Sequence, residues 1–291
     1  MVSIKHLPVL EVVILVLVIF TSCQKYSKDS VSSADGVSIR YHVQGVGEPA
    51  LVFVHGWSCD KTYWETQVDY FAQNYRVVTI DLGGHGKSGL DRKDWNIESF
   101  GRDVQAVVAK LNLDPVILIG HSMGGSVIIE ATRFMPGRVI GLIGVDTYQD
   151  FENEPTQEEI NTFLAPVRED FRESTRNFVR NVLFSPDSDS AIVKKVAEDM
   201  ASAPPEVGIS ALENAWTFDI RAALKDIRVP IRSINCDLYP VNIEANKRHA
   251  HSFEVKFMSG VSHFPMMEAP EKFNQLLEET IADLVSQTTE E

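Results

Sequence analysis

Cysteine is scarce in this chain of 291 residues, occurring at positions 23, 59 and 236. Two thiols beyond Cys23 are too few for a disulfide framework, and their separation matches no metal-binding spacing. Cys59 and Cys236 are therefore expected to be free and buried, as isolated cysteines commonly are, and no metal or other cofactor is implied. Basic clusters are missing too: 27 Lys and Arg stand against 41 Asp and Glu, a formal net charge of −14. A field of that sign repels phosphate backbones, which argues against nucleic acid as a partner. The longest charge-free apolar stretch, Val12 to Phe20, falls far short of the roughly 20 residues that span a bilayer. Residues 36–291 carry no internal repeat and no low-complexity segment.

The N-terminus has a pattern of its own. Lys5 and His6 precede "LPVLEVVILVLVIF", which ends in the small residues of "TSC". A basic start, an apolar stretch and small residues at a cleavage point make a secretory signal over residues 1–22. Phe20-Thr21-Ser22-Cys23 resembles a bacterial lipobox, with Phe where such sites favour Leu. The resemblance implies cleavage before Cys23 and acylation of that residue, because stable anchoring needs more than one chain. Residues 23–35 would then be a polar tether, and the protein an exported, membrane-anchored lipoprotein of a bacterial cell envelope. The plainer reading is an ordinary signal peptide or an uncleaved anchor, with Cys23 incidental.

Beyond the tether, β-rich runs alternate with amphipathic stretches. "VSIRYHV" alternates and reads as an edge strand. "ALVFVHG", "RVVTIDL", "PVILIG" and "VIGLIGVD" are continuous apolar runs separated by helical spacing. Such runs indicate a parallel sheet covered on both faces. The alternation breaks after Asp146, and residues 150–224 hold helical patterns without a convincing strand. "VPIRSIN" and "FEVKFMSG" resume the sheet, and "APEKFNQLLEETIADLVSQ" closes the chain as a helix. The expected architecture is one α/β domain over residues 36–291, with a helical cap inserted after the strand ending at Asp146.

Chemistry concentrates at "ILIGHSMGGS". Gly120-His121-Ser122-Met123-Gly124 fits G-x-S-x-G between a strand and a helix, the context of a nucleophile elbow. Glycine is needed there because the serine takes strained backbone angles and its neighbours crowd it. A serine hydroxyl needs a base, and the base an orienting acid. Downstream of Ser122 the histidines are His249, His251 and His263. The first two sit at a polar helix end before a strand, where solvated histidine is the ordinary role. His263 lies in the loop "SGVSHFPMMEAP" after the last strand, at the carboxyl edge of the sheet where a nucleophile also stands. Two acids compete: Asp146 at the end of one strand and Asp237 after another. A turn-capping role is the alternative for either.

The segments "VHGW" (54–57), "DLGGHGKSG" (81–89), "GHSMGG" (120–125) and "SHFPMMEAP" (262–270) resemble the α/β-hydrolase superfamily, in its capped branch of esterases and haloperoxidase-like enzymes. In that family the acid usually follows the strand matching "VPIRSIN". Aligning on Pro240 puts Tyr239 there, two residues past Asp237, whereas some branches use the position held by Asp146; the resemblance thus favours Asp146 as the acid, with Asp237 as the alternative. The resemblance also implies oxyanion donors, the backbone N–H groups of Trp57 and Met123, and turn-stabilising roles for His55 and His85. It implies ester hydrolysis through an acyl-enzyme on Ser122. The alternatives are carbon–carbon bond hydrolysis, iminopeptidase-type aminopeptidase or thioesterase activity, and a ligand-binding module without turnover. Phe163, Phe171, Phe178, Phe184 and Trp216 in the cap suggest an apolar small-molecule substrate.

Overall fold

The computed structural model describes residues 29–288, so the signal segment and Cys23 lie outside the described residues. Eight strands form one sheet in the order β1-β2-β4-β3-β5-β6-β7-β8. They are β1 (Ser30–Ser32), β2 (Ser38–Gln44), β3 (Ala50–Val54), β4 (Val77–Asp81), β5 (Val116–His121), β6 (Val139–Val145), β7 (Ile231–Cys236) and β8 (Phe253–Met258). From β4 to β8 every pairing is parallel, while β1 with β2 and β2 with β4 are antiparallel. Every residue of β3, β4 and β5 is buried, as the unbroken apolar runs require of strands covered on both faces.

Two sequence expectations change at the N-terminal side. The tether expected over residues 23–35 reaches into the fold, because Ser30–Ser32 is a strand. β2 is consequently not the edge, since β1 pairs with it in the register Val31 to Ile39. The reason is polar anchoring that a hydrophobic pattern does not reveal. Ser33 donates to the buried Asp103 at 2.5 Å, and Asp35 receives Arg92 at 2.6 Å.

Helices α1 (Glu65–Phe71), α2 (Ile97–Lys110) and α3 (Met123–Arg133) flank the sheet with the C-terminal helix, and α2 packs along α3. Between β6 and β7 stand five cap helices: α4 (Gln157–Glu169), α5 (Phe171–Phe178), α6 (Ser190–Ala201), α7 (Pro205–Trp216) and α8 (Ile220–Leu224). The polar clusters between them are helix starts. Thr156 and Glu159 form a capping box for α4, and Asp170, Asp189 and Asp219 cap α5, α6 and α8. A π-helical turn, Val179–Leu183, continues α5. The remaining elements are a 3-10 turn, Lys61–Trp64, before α1, and the helices α9 (Ile243–His249), α10 (Pro265–Glu268) and α11 (Pro270–Thr288). Among the described residues no helix is long and apolar enough to cross a membrane.

Candidate active site

Ser122 sits between β5 and α3 with φ 52° and ψ −119°. A non-glycine residue in such angles costs about 1–3 kcal/mol, and the surroundings must enforce it. They do so by crowding. A Cβ on Gly120 would stand 2.3 Å from the Gly124 carbonyl oxygen, and one on Gly124 would stand 2.7 Å from those of Val54 and His55. Both positions of the motif therefore exclude any side chain. The backbone is pinned by the Ser122 N–H, which donates to the Val145 carbonyl at 3.0 Å. Met123 opens α3, so its N–H precedes the helix's own ladder and is available to an anion.

His263 occupies the loop between β8 and α10, and its Nδ1 lies 2.5 Å from Asp146 Oδ2. A carboxylate only accepts, so Nδ1 carries the proton and Nε2 of the neutral ring keeps its lone pair. Asp146 is buried immediately beyond β6, with φ 45°. Its other oxygen, Oδ1, accepts the Cys236 N–H at 2.9 Å, and its own N–H donates to Ile234. One carboxylate oxygen is thus fixed by the end of β7 and the other by His263, while the backbone is tied to β7. Asp237 is exposed just past β7 and does not line the cavity that His263 lines. Tyr239, at the position where the resemblance places an acid, donates its hydroxyl to the Val182 carbonyl. The structure brings Asp146 to His263 and leaves Asp237 outside.

His55, His85, His121 and His249 have ring partners of their own. His55 Nε2 accepts the Leu82 N–H at 3.1 Å while Nδ1 binds the Gly56 carbonyl, and His85 Nδ1 binds that of Gly83. Burial lowers both imidazoles, His85 to about 3, so they remain neutral. His249 meets Glu152 on the surface. His121, the motif residue not singled out from sequence, is buried and its Nε2 stands 2.8 Å from the His263 carbonyl. A carbonyl accepts, so Nε2 is the donor there. The signal was its place beside Ser122, but the partner is 142 residues away along the chain.

A cavity of about 640 Å³ opens over these groups, and Ser122, Met123, Trp57, Asp146 and His263 all line it. The cap supplies Phe163, Phe178, Leu183, Met200, Leu212 and Trp216. Phe163 and Trp216 stack with centroids 4.6 Å apart. Of the five cap aromatics singled out from sequence, Phe171 and Phe184 do not line the cavity; they are core. Phe171 packs on Trp57 and Phe184 stacks on Phe264. Trp57 joins the two layers, because its indole N–H donates to the Gly208 carbonyl of α7 at 2.7 Å. Cys59 and Cys236 are free and buried, and burial pushes both thiols up, Cys236 to about 12.

Residues 51–276 match the family model described as the alpha/beta hydrolase family. The chain belongs to that family and is a hydrolase of the α/β fold. It is 28% identical over 260 residues to 3-oxoadipate enol-lactonase 2 of Acinetobacter baylyi, covering 86% of this chain and 95% of the relative. It is 27% identical over 248 residues to karrikin insensitive 2 receptor IA of Petunia hybrida, covering 80% of this chain and 90% of that one. Among solved structures, the esterase EaEST from Exiguobacterium antarcticum superposes with a TM-score of 0.79 at 20% identity, over 88% of this chain and all of its own.

Proposed function

We propose that the protein hydrolyses carboxylic esters through an acyl-enzyme on Ser122. The observation that carries the reading is the His263 Nδ1 to Asp146 Oδ2 contact of 2.5 Å, beside a cavity that Ser122 also lines. Asp146 holds the imidazole in the tautomer whose Nε2 can take the Ser122 proton, and stabilises the imidazolium that forms. The backbone N–H groups of Trp57 and Met123 receive the tetrahedral oxyanion, where each such donor is worth about 3–4 kcal/mol of barrier in a measured acyl-transfer enzyme. Returning the proton expels the alcohol, and water activated by the same nitrogen releases the acid. The apolar cap wall supports a substrate with an apolar part.

The experiment is Ser122→Ala against a series of p-nitrophenyl esters, with a fluorophosphonate probe on the wild type. Turnover should fall on the order of 10⁵–10⁶-fold, with the thermal midpoint preserved and Ser122 labelled. Unchanged hydrolysis by the variant would sink the assignment. The petunia relative is a receptor, and the probe separates that role from turnover: a binding-only protein leaves the fluorophosphonate unreacted.

The reading of the N-terminus belongs to the same proposal. Cys23, outside the described residues, would carry the lipid, and with β1 beginning at Ser30 the domain would be held close to the envelope membrane. Cys23→Ser should move the protein from the membrane fraction to the soluble one, and an alkynyl fatty acid should label wild type alone. An unlabelled wild type contradicts it.

A further inference from the structure

The loop that carries His263 is held from the cap as much as from the sheet. The His263 N–H donates to the Leu183 carbonyl at 3.1 Å, at the end of the π-helical turn. The Ser262 N–H donates to Glu268 Oε1 at 2.9 Å, and the Phe264 N–H reaches the same oxygen at 3.4 Å. Glu268 thus gathers the amides on both sides of the histidine. Its other oxygen receives the Ser188 hydroxyl, a cap residue, at 3.1 Å. Ser188 Oγ also lies 2.9 Å from Ser262 Oγ, which accepts the Ser185 N–H at 2.9 Å. Each hydroxyl has one proton, so the directions follow. The Ser185 N–H donates to Ser262, the Ser262 hydroxyl to Ser188, and the Ser188 hydroxyl to Glu268. A chain of donors runs from the cap backbone through a buried serine and ends on one carboxylate.

From this network we propose that Glu268 is a positioning residue that locks the His263 loop to the cap segment 183–188, so that the base is in place when the cap is seated. The inference rests on His263 as the base proposed above. With Glu268 removed, the amides of Ser262 and Phe264 lose their acceptor and the serine chain its terminus. The imidazole then keeps Asp146 but loses the loop that aims Nε2. A displacement of about 1 Å at a reacting group can cost on the order of 100-fold, without weakening substrate contacts that lie elsewhere in the cavity.

The test uses the full chain and p-nitrophenyl ester kinetics, with fluorophosphonate labelling rate and thermal midpoint measured alongside. Glu268→Ala should lower kcat by about 100-fold with KM changed less than about threefold, and slow labelling in parallel. Glu268→Gln keeps an oxygen acceptor for both amides and should remain within about fivefold of wild type. Ser188→Ala cuts the same chain from the cap side and should cost about fivefold in wild type and nothing further in Glu268→Ala, because the two act through one chain. That variant carries the test if Glu268→Ala does not fold. Glu268→Ala with kcat intact, Glu268→Gln as impaired as Ala, or additive effects of Ser188→Ala each overturn the proposal. A fully active His263→Ala would instead remove the base assignment beneath it.

Discussion

Arg92 in the sheet domain and Arg176 in the cap each grip a carboxylate through two nitrogens, yet they sit in different surroundings. Arg92 is 3% exposed and binds Asp103, which is fully buried, as well as Asp35. Arg176 is 28% exposed and meets Glu198, 45% exposed. The first pair has no water to fall back on, whereas the second is solvated with or without its partner. The contrast recurs throughout. In the sheet domain, glycine contacts, strand ends and buried charges leave one geometry. In the cap, amphipathic helices capped by Asp and Thr need only suitable faces. The sheet domain therefore fixes the contact of His263 with Asp146 beside Ser122, and the cap walls the cavity above them.

The sharpest way to break this comparison is at the carboxyl edge of the sheet. Asp146→Asn should lower turnover on the order of 10⁴-fold with KM nearly unchanged, by analogy with the acid of a well-studied serine protease. Asp237→Asn, on the exposed side of the β7 end, should stay close to wild type. The reverse ranking of the two rates would place the acid after β7 and undo the geometry described for Asp146.

A smaller effect is expected at Arg92. Burial pushes the Asp103 carboxyl above its usual range despite the hydrogen bonds from Arg92. Arg92→Ala would leave that group buried with one cationic partner gone, so a loss of about 3–5 kcal/mol is expected in urea unfolding. Arg176→Ala should leave the urea midpoint unchanged. Equal losses at the two sites would show that the cap is as tightly determined as the sheet.

How legible each region was follows the same division. The central strands and the Ser122 turn could be read because burial and backbone strain demand particular residues at fixed spacings, and His263 because its loop follows the last strand. Asp146 could be favoured over Asp237 only by its place at the strand end, since the features that hold it, a positive φ and the Cys236 N–H, belong to folded strand ends. β1 escaped because "SVS" is largely polar and the anchors just after it, Ser33 on Asp103 and Asp35 on Arg92, join residues far apart in the chain. Glu268 escaped for the same reason: its partners are amides and a cap hydroxyl, which leave no residue-type signature. A carboxylate following "SHFP" across a short helix was the available hint, and it gains meaning only when α10 folds it back on the loop.

The smallest expected effect tests the cap's half of the comparison. Phe163 and Trp216 are half-buried, stack on each other and both face the cavity. If they are a wall for substrate, Phe163→Ala should lengthen the space available to an acyl chain. The ratio of kcat/KM for a long-chain to a short-chain p-nitrophenyl ester should then change by about threefold to tenfold, the range of one or two methylenes in an apolar pocket. The stability loss should be modest, because a half-buried ring gives up less area than a core ring and the pair adds only about 0.5–1.5 kcal/mol beyond area. If the two rings serve as core alone, the pattern inverts: the unfolding midpoint drops as for a buried Phe while the chain-length ratio stays fixed. Measuring both quantities on the same variant separates the roles, since the ratio cancels any uniform loss of active protein.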